Sequence, residues 1–225
     1  MGQAASGNVA SRRCLPLPPD TPNRRLPRLA VGLVLFGVGI GLMVRADLGL
    51  GPWDVLHQGV SQRVDLGIGT VTILTGVVVL ALWVPLRERP GLGTVANVAV
   101  IGLEVDATLA VVDEPSSVPA RVALLVLGAY AFGPGSGLYI GAGLGPGPRD
   151  GLMTGLARRG HSVRAVQTGI ELAVLAVGAL LGGSVGIGTV LFALTIGPNV
   201  HWHLDRLTLP DAPHPEDLEE PVEPL

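Results

Sequence analysis

Four long stretches of this chain carry no formal charge, and they constrain its fold more than any motif does. Arg28 and Arg45 bracket sixteen such residues, Asp65 and Arg87 twenty-one, Arg121 and Arg149 twenty-seven, and Glu171 and His201 twenty-nine. A hydrocarbon core about 30 Å thick is crossed by about 20 apolar helical residues, so several of these stretches are long enough to span it. A soluble helical core would show polar residues at a 3.6-residue period, and no such stripe runs through them. Only 15% of the 225 residues are charged, against about a quarter in a soluble domain. The pattern predicts an all-α, polytopic transmembrane bundle and not a soluble enzyme. The lipid bilayer is its first expected partner.

The spans fall near residues 28–45, 67–86, 91–112, 120–143, 165–182 and 187–204. The flanks read as disordered: residues 1–25 are polar and Pro-rich, and residues 206–225 are acidic and Pro-rich. All fifteen basic residues are arginines. With the N-terminus inside, twelve of them lie on the inner side and three (Arg45, Arg63, Arg121) on the outer. The positive-inside rule then predicts that both termini are cytoplasmic and that the number of spans is even, six. The single Cys14 makes no internal disulfide, and no cleavable signal peptide is visible.

The chain repeats itself. A shift of 96 residues aligns Gly32, Gly37, Gly39 and Gly41 with Gly128, Gly133, Gly135 and Gly137, and Gly49, Gly51, Pro52 and Asp54 with Gly145, Gly147, Pro148 and Asp150. With one residue dropped, Gly91, Gly93, Thr94 and Val95 align with Gly186, Gly188, Thr189 and Val190. Ordered blocks of this kind mark an internal repeat, here residues 26–113 and 114–205. Three spans per half is an odd number, so the halves are expected to enter the membrane from opposite sides, as inverted repeats. The Pro52 and Pro148 segments are then expected near the outer and inner faces.

Glycine spacing suggests where helices touch. Gly133, Gly137, Gly141 and Gly145 recur every fourth residue, echoed by Gly37 and Gly41, and small residues at that spacing let helices approach closely in lipid. Each Gly-x-Gly-Pro-x-Asp segment suits a turn followed by a helix start, with Asp54 or Asp150 complementing the helix dipole. From Pro52 onward, Trp53, Leu56, Val60 and Val64 form one face, opposite Asp54, Gln58 and Gln62, as in a short amphipathic interfacial or re-entrant helix. Asp54 and Asp150 are either structural caps or gating and ion-coupling groups.

Other polar groups lie within spans. Asn97, Glu104 and Asp106 fall in the third and Glu171 in the fifth, while Asn199 and His201 stand at the repeat positions of Glu104 and Asp106. Carboxylates in lipid line cavities or pair internally, so Glu104, Asp106 and Glu171 join the candidate coupling groups; Asn97, Asn199 and His201 are candidate polar lining. The alternatives are a headgroup position for Glu104, Asp106 and His201, and an arginine partner or snorkelling for Glu171. His201 and His203 sit where a span meets water, which argues against a metal site. His57 and His161 have no partner at a recognised spacing. No nucleophile constellation, cofactor motif or nucleic-acid footprint appears.

The blocks over Gly49 to Gly59 (GLGPWDVLHQG), Pro90 to Thr94 (PGLGT) and Gly137 to Gly155 (GLYIGAGLGPGPRDGLMTG) resemble the YczE-type integral membrane proteins of bacteria, related to the YitT-like group. The resemblance covers about residues 28–205 and implies five or six spans in a cytoplasmic membrane, but supplies no reaction. The expectation is a transporter-like or permease-like protein with a site for a small solute or ion between its halves. The alternative is a non-transporting membrane scaffold or accessory partner of another protein; a second copy of this chain and another membrane protein are the candidate protein partners.

Overall fold

The computed structural model describes residues 21–160, 162–210 and 212, and their regular structure is helical throughout. One π-helical turn over Thr21–Arg25 leads into α1 (Leu26–Ala46). There follow α2 (Pro52–Val64), α3 (Ile68–Leu86), α4 (Leu92–Val111), α5 (Val118–Gly141), α6 (Pro148–Ala157), α7 (Val163–Leu181) and α8 (Ile187–Leu207). Six of these coincide with the expected spans, and α2 and α6 are the two short helices after the Gly-x-Gly-Pro segments. Proline at the first helical position starts α2 and α6, where its missing N–H costs nothing. Left-handed residues end the first three helices, Asp47, Asp65 and Arg87.

Among the described residues, five helices are long and apolar enough to cross a membrane: Asn23–Ala46, which includes α1, then α3, α4, α5 and α7. The exception among the long helices is α8, whose second half carries Asn199, His201, His203, Asp205 and Arg206.

The expected tails begin further out than the composition suggested. Residues 21–25 are helical, and Arg25 is buried with its guanidinium donating to Ala142 O at 2.9 Å, where α5 has just ended. A cation suits that helix terminus, which explains the burial. At the other end Leu209 is buried and its N–H bonds Gly141 O at 3.0 Å. The rest of both tails, residues 1–20 and 213–225, lies outside the described residues, as does His161.

The centre of the bundle is the α1–α5 pair. A Cβ on Gly32 would meet the Gly135 carbonyl at 2.8 Å, and one on Gly39 the Gly128 carbonyl at 2.9 Å, so the two helices run antiparallel. Backbones this close need glycine, because any side chain would fill the seam. Around the seam Leu33, Ile40, Met43, Leu125 and Phe132 are buried together. Against α1 lies α4, in parallel, with Gly37 facing Glu104 and Gly41 facing Thr108. In the same way α8 lies along α5, where Gly133 faces Asn199 and Gly141 faces Thr208.

The short helices pack against α3 and α7. Trp83 of α3 covers Gly151 of α6, and Gly178 of α7 lies against Val55 and Leu56 of α2. The loops before them are held by turns from elsewhere: Gly93 N–H donates to Leu144 O (2.8 Å) and Gly188 N–H to Leu48 O (2.7 Å). Gly49 and Gly145, at φ +108° and +119°, supply the left-handed backbone these loops require. Gly145 therefore belongs to a loop and not to the α5 packing face expected for it, because α5 ends four residues earlier at Gly141.

One pairing lacks a counterpart. Packing of α3 on α4 brings Gly102 against Gly69 and Ile73, whereas a Cβ on Gly197 of α8 would meet nothing within 4 Å. The buried residues of α7 reduce to Gly178.

Candidate functional site

The Pro52 and Pro148 segments do not sit at opposite faces. The Arg149 guanidinium lies 5.5 Å from the centre of the Trp53 ring, so the starts of α2 and α6 meet inside the bundle. Each loop turns back into the protein, and the N-terminal half of α2 is buried as far as Gly59 while Arg63 and Val64 are exposed. The two expected faces of α2 are not sorted by burial: Trp53, Asp54 and Gln58 are all buried near its start, and Gln62 and Val64 are both outside near its end. The inner neighbours supply polar partners, such as the Ser184 N–H that donates to Gln58 Oε1 at 2.6 Å.

Between α2, α3, α4 and α6 lies a narrow crevice lined by Trp53, His57, Thr72, Thr75, Asn97 and Arg149 among others, with room for about one water. Asp54, 3% exposed, stands beside it with Oδ1 at 3.5 Å from His57 Nδ1. That oxygen has no hydrogen-bond partner, and neither has the buried Trp53 indole N–H. His57 Nδ1 is also 3.2 Å from Thr72 Oγ1 on α3. On the α6 side, Tyr139 O–H donates to Asp150 Oδ2 at 3.2 Å, and Gly147, at the helix start, lies against both. Trp83 Nε1–H fixes the same helix start by donating to Pro148 O at 2.9 Å. Two helix N-termini, the buried Asp54 carboxylate, a guanidinium and a histidine thus gather around the crevice, where buried polar groups interact strongly and are costly to leave unmatched, while Asp150 beside the α6 start is exposed.

Of the residues singled out from sequence, Asn97 lines this crevice, Asp54 borders it through His57, and Asp150 stands at the α6 start beside it. Asp106 does not: its carboxylate accepts the N–H groups of Gly69 (2.8 Å) and Thr70 (3.1 Å) and caps the start of α3. Glu104 packs its stem against Gly37. Glu171 faces outward on α7 and accepts from Gln167 at 3.2 Å, so its partner is an amide and not an arginine. Asn199 donates to the Ala129 and Tyr130 carbonyls of α5, at 3.1 and 3.0 Å. His201 is exposed, 3.7 Å from Asp205, whereas His203 points inward and is buried. Gly37, Gly41, Gly133, Gly137 and Gly141 line helix contacts.

Sequence reasoning passed over Trp53, His57, Thr72, Tyr139 and Arg149 as site residues. For His57 a signal existed: it follows Asp54 by three positions, which places both on one helical face. Nothing local announces Thr72 or Tyr139, which arrive from other helices.

A bundle of apolar helices with polar side chains converging on two short inward-turned helices defines a multi-pass helical membrane protein. The chain belongs to the family of unknown function DUF6198, whose pattern matches residues 23–204. It is 40% identical over 188 residues to an uncharacterized protein of Haemophilus influenzae, covering 83% of this chain and 86% of that one. It is 32% identical over 169 residues to the uncharacterized membrane protein YczE of Bacillus subtilis, covering 74% and 79%. A second Bacillus subtilis protein, the uncharacterized YyaS, is 26% identical over 178 residues, covering 76% and 88%. No solved structure matches.

Proposed function

We propose that this protein is a small carrier of the bacterial cytoplasmic membrane, with six spans in two inverted halves, both termini cytoplasmic, and a solute or ion site where α2 and α6 begin. The supporting contacts exchange under the repeat. Gly32 meets Gly135 while Gly39 meets Gly128, and Leu48 holds Gly188 while Leu144 holds Gly93. Trp53 and Arg149 occupy repeat-equivalent positions and face each other, as groups beside a pseudo-two-fold axis would. Discontinuous helices whose starts meet between such halves are a recurrent way to build a carrier site.

The observation that carries the proposal is the inequality of two matched helix pairs. In one half α3 is seated on α4; in the other α7 has left α8, and the glycine equivalent to Gly102 faces open space. Two like halves held in unlike packings have a second arrangement available with the roles exchanged, which is alternating access.

The test is a pair of cysteine cross-links in a Cys14→Ser background. Gly76 and Val98 mark the closed pair, a Cβ on Gly76 lying 3.0 Å from Val98 Cγ1. Thr168 and Gly197 occupy the repeat positions of Ile73 and Gly102, the contact missing from the open pair. The expected result is that Thr168→Cys/Gly197→Cys cross-links within one chain in membranes. Prior closure of a Gly76→Cys/Val98→Cys bridge should suppress that product. A cross-link absent under every condition, or formed solely between chains, overturns the carrier and leaves the accessory role.

A further inference from the structure

We infer that the coupling ion of this carrier is a proton, held at Asp54, His57 and Thr72; this rests on the carrier reading above. Asp54 is a buried carboxylate whose Oδ1 has no hydrogen bond, and an uncompensated carboxylate at such a place costs several kcal/mol. His57, itself buried, places its Nδ1 3.5 Å from that oxygen. The pair is therefore relieved by one proton.

The hydrogen bonds dictate where that proton goes. Thr72 Oγ1 is 2.9 Å from Ile68 O, and two oxygens at that distance need a hydrogen between them, which Thr72 alone can supply. Its hydroxyl hydrogen is thereby committed, so towards His57 at 3.2 Å it accepts. His57 accordingly carries hydrogen on Nδ1, and its bare Nε2 is the atom open to protonation, the tautomer being set by the bond the other nitrogen makes. Protonation at Nε2 turns the ring into an imidazolium facing the Asp54 carboxylate through Nδ1–H. Loss of that proton restores the neutral ring and leaves the carboxylate unbalanced.

The surroundings leave this pair to itself. Packed against α2 are α3, which has no titratable residue, and α7, whose Arg164 and Glu171 are its sole charged groups. Of these, Glu171 is bonded to Gln167. Across the crevice stand Arg149, over Trp53, and Asp150, bonded to Tyr139. On α4 Asp106 is engaged by α3, and Glu104 lies against α1. A hard metal cation would want six or so oxygen ligands. Asp54 and Thr72 offer a carboxylate and one hydroxyl beside an imidazole that suits softer ions, with Thr75 and Asn97 also lining the crevice. In the second half the carboxylate is kept as Asp150, but Met153 stands where His57 would be.

Nitrogen NMR on the full chain labelled at histidine, in nanodiscs, tests the assignment, with His57 identified by its loss in His57→Gln. The expected spectrum shows a neutral ring with hydrogen on Nδ1 that takes up its second proton at Nε2 as the pH is lowered. Asp54→Asn should lower the ratio of imidazolium to neutral ring at a given pH about tenfold or more, the effect of removing an opposite charge within about 4 Å. Thr72→Val should release the tautomer. An Nε2–H neutral ring, or uptake unchanged in Asp54→Asn, overturns the proposal. So does a melting temperature that rises in sodium over choline chloride and loses the rise in Asp54→Asn, which would assign a metal cation instead.

Coupling is read separately, from the Thr168→Cys/Gly197→Cys yield normalised to Gly76→Cys/Val98→Cys. The ratio should change with pH and become flat with Asp54→Asn; a ratio that ignores pH refutes coupling. Failure of the cross-link itself removes the carrier and leaves the His57 spectrum to stand or fall independently.

Discussion

Trp83 and Gly151 meet so closely that the indole lies on the glycine backbone, and the same ring donates to Pro148 O at 2.9 Å. Trp83→Phe keeps the ring and loses the donor. Unfolding in detergent should show a loss of about 1–2 kcal/mol, the usual cost of leaving a buried carbonyl unsatisfied. Gly151→Leu should cost more than that and reduce folded yield, since no rotamer avoids the indole. A neutral result for both would mean that α6 is not seated on α3. At this scale the sequence was partly legible. Asp54 with His57 three positions on is a helical neighbour pair that spacing alone displays, whereas Thr72 reaches His57 from another helix. Nor could spacing tell that Asp106 spends its carboxylate on backbone amides, because the amides belong to α3.

Among elements, helix identity follows from the length and apolarity of the uncharged stretches, and helix starts from Pro52, Pro148 and their glycines. Which face of a short helix turns inward does not follow. Both faces of α2 are buried at its start, Trp53 with Asp54, and Gln58 finds the Ser184 N–H inside while Asp54 keeps an oxygen unmatched. The Asp106 cap joins α4 to the beginning of α3, whereas its repeat equivalent His201 faces Asp205 and caps nothing on α7. Asp106→Ala should destabilise the protein by about 1–2 kcal/mol, as loss of a helix N-cap does. It should also raise the Thr168→Cys/Gly197→Cys yield, because the closed pair is loosened. Stability lost with no change in that yield would make the cap a purely structural feature.

For the whole molecule, the arginine distribution and the odd number of spans per half yield a sidedness that labelling can check. In a Cys14→Ser chain, a cysteine at Val185 between α7 and α8 should react from outside intact cells with a membrane-impermeant maleimide. A cysteine in the acidic tail should react after lysis alone. Reaction at Val185 from the cytosolic side would invert the second half and remove the two-sided carrier with it. The span count turns on α8, a helix of full length whose polar second half is covered in part by α5. The sequence alone determined that this chain is a bundle of apolar helices with an internal echo. Charge placement and hydropathy are one-dimensional, and lipid forces hydrogen-bonded helices on any long uncharged stretch. The tertiary structure alone decided that Trp53 faces Arg149, that Thr72 orients His57, and that α3 is seated while α7 stands apart. Those are contacts between residues far separated along the chain, set by which backbones glycine lets approach.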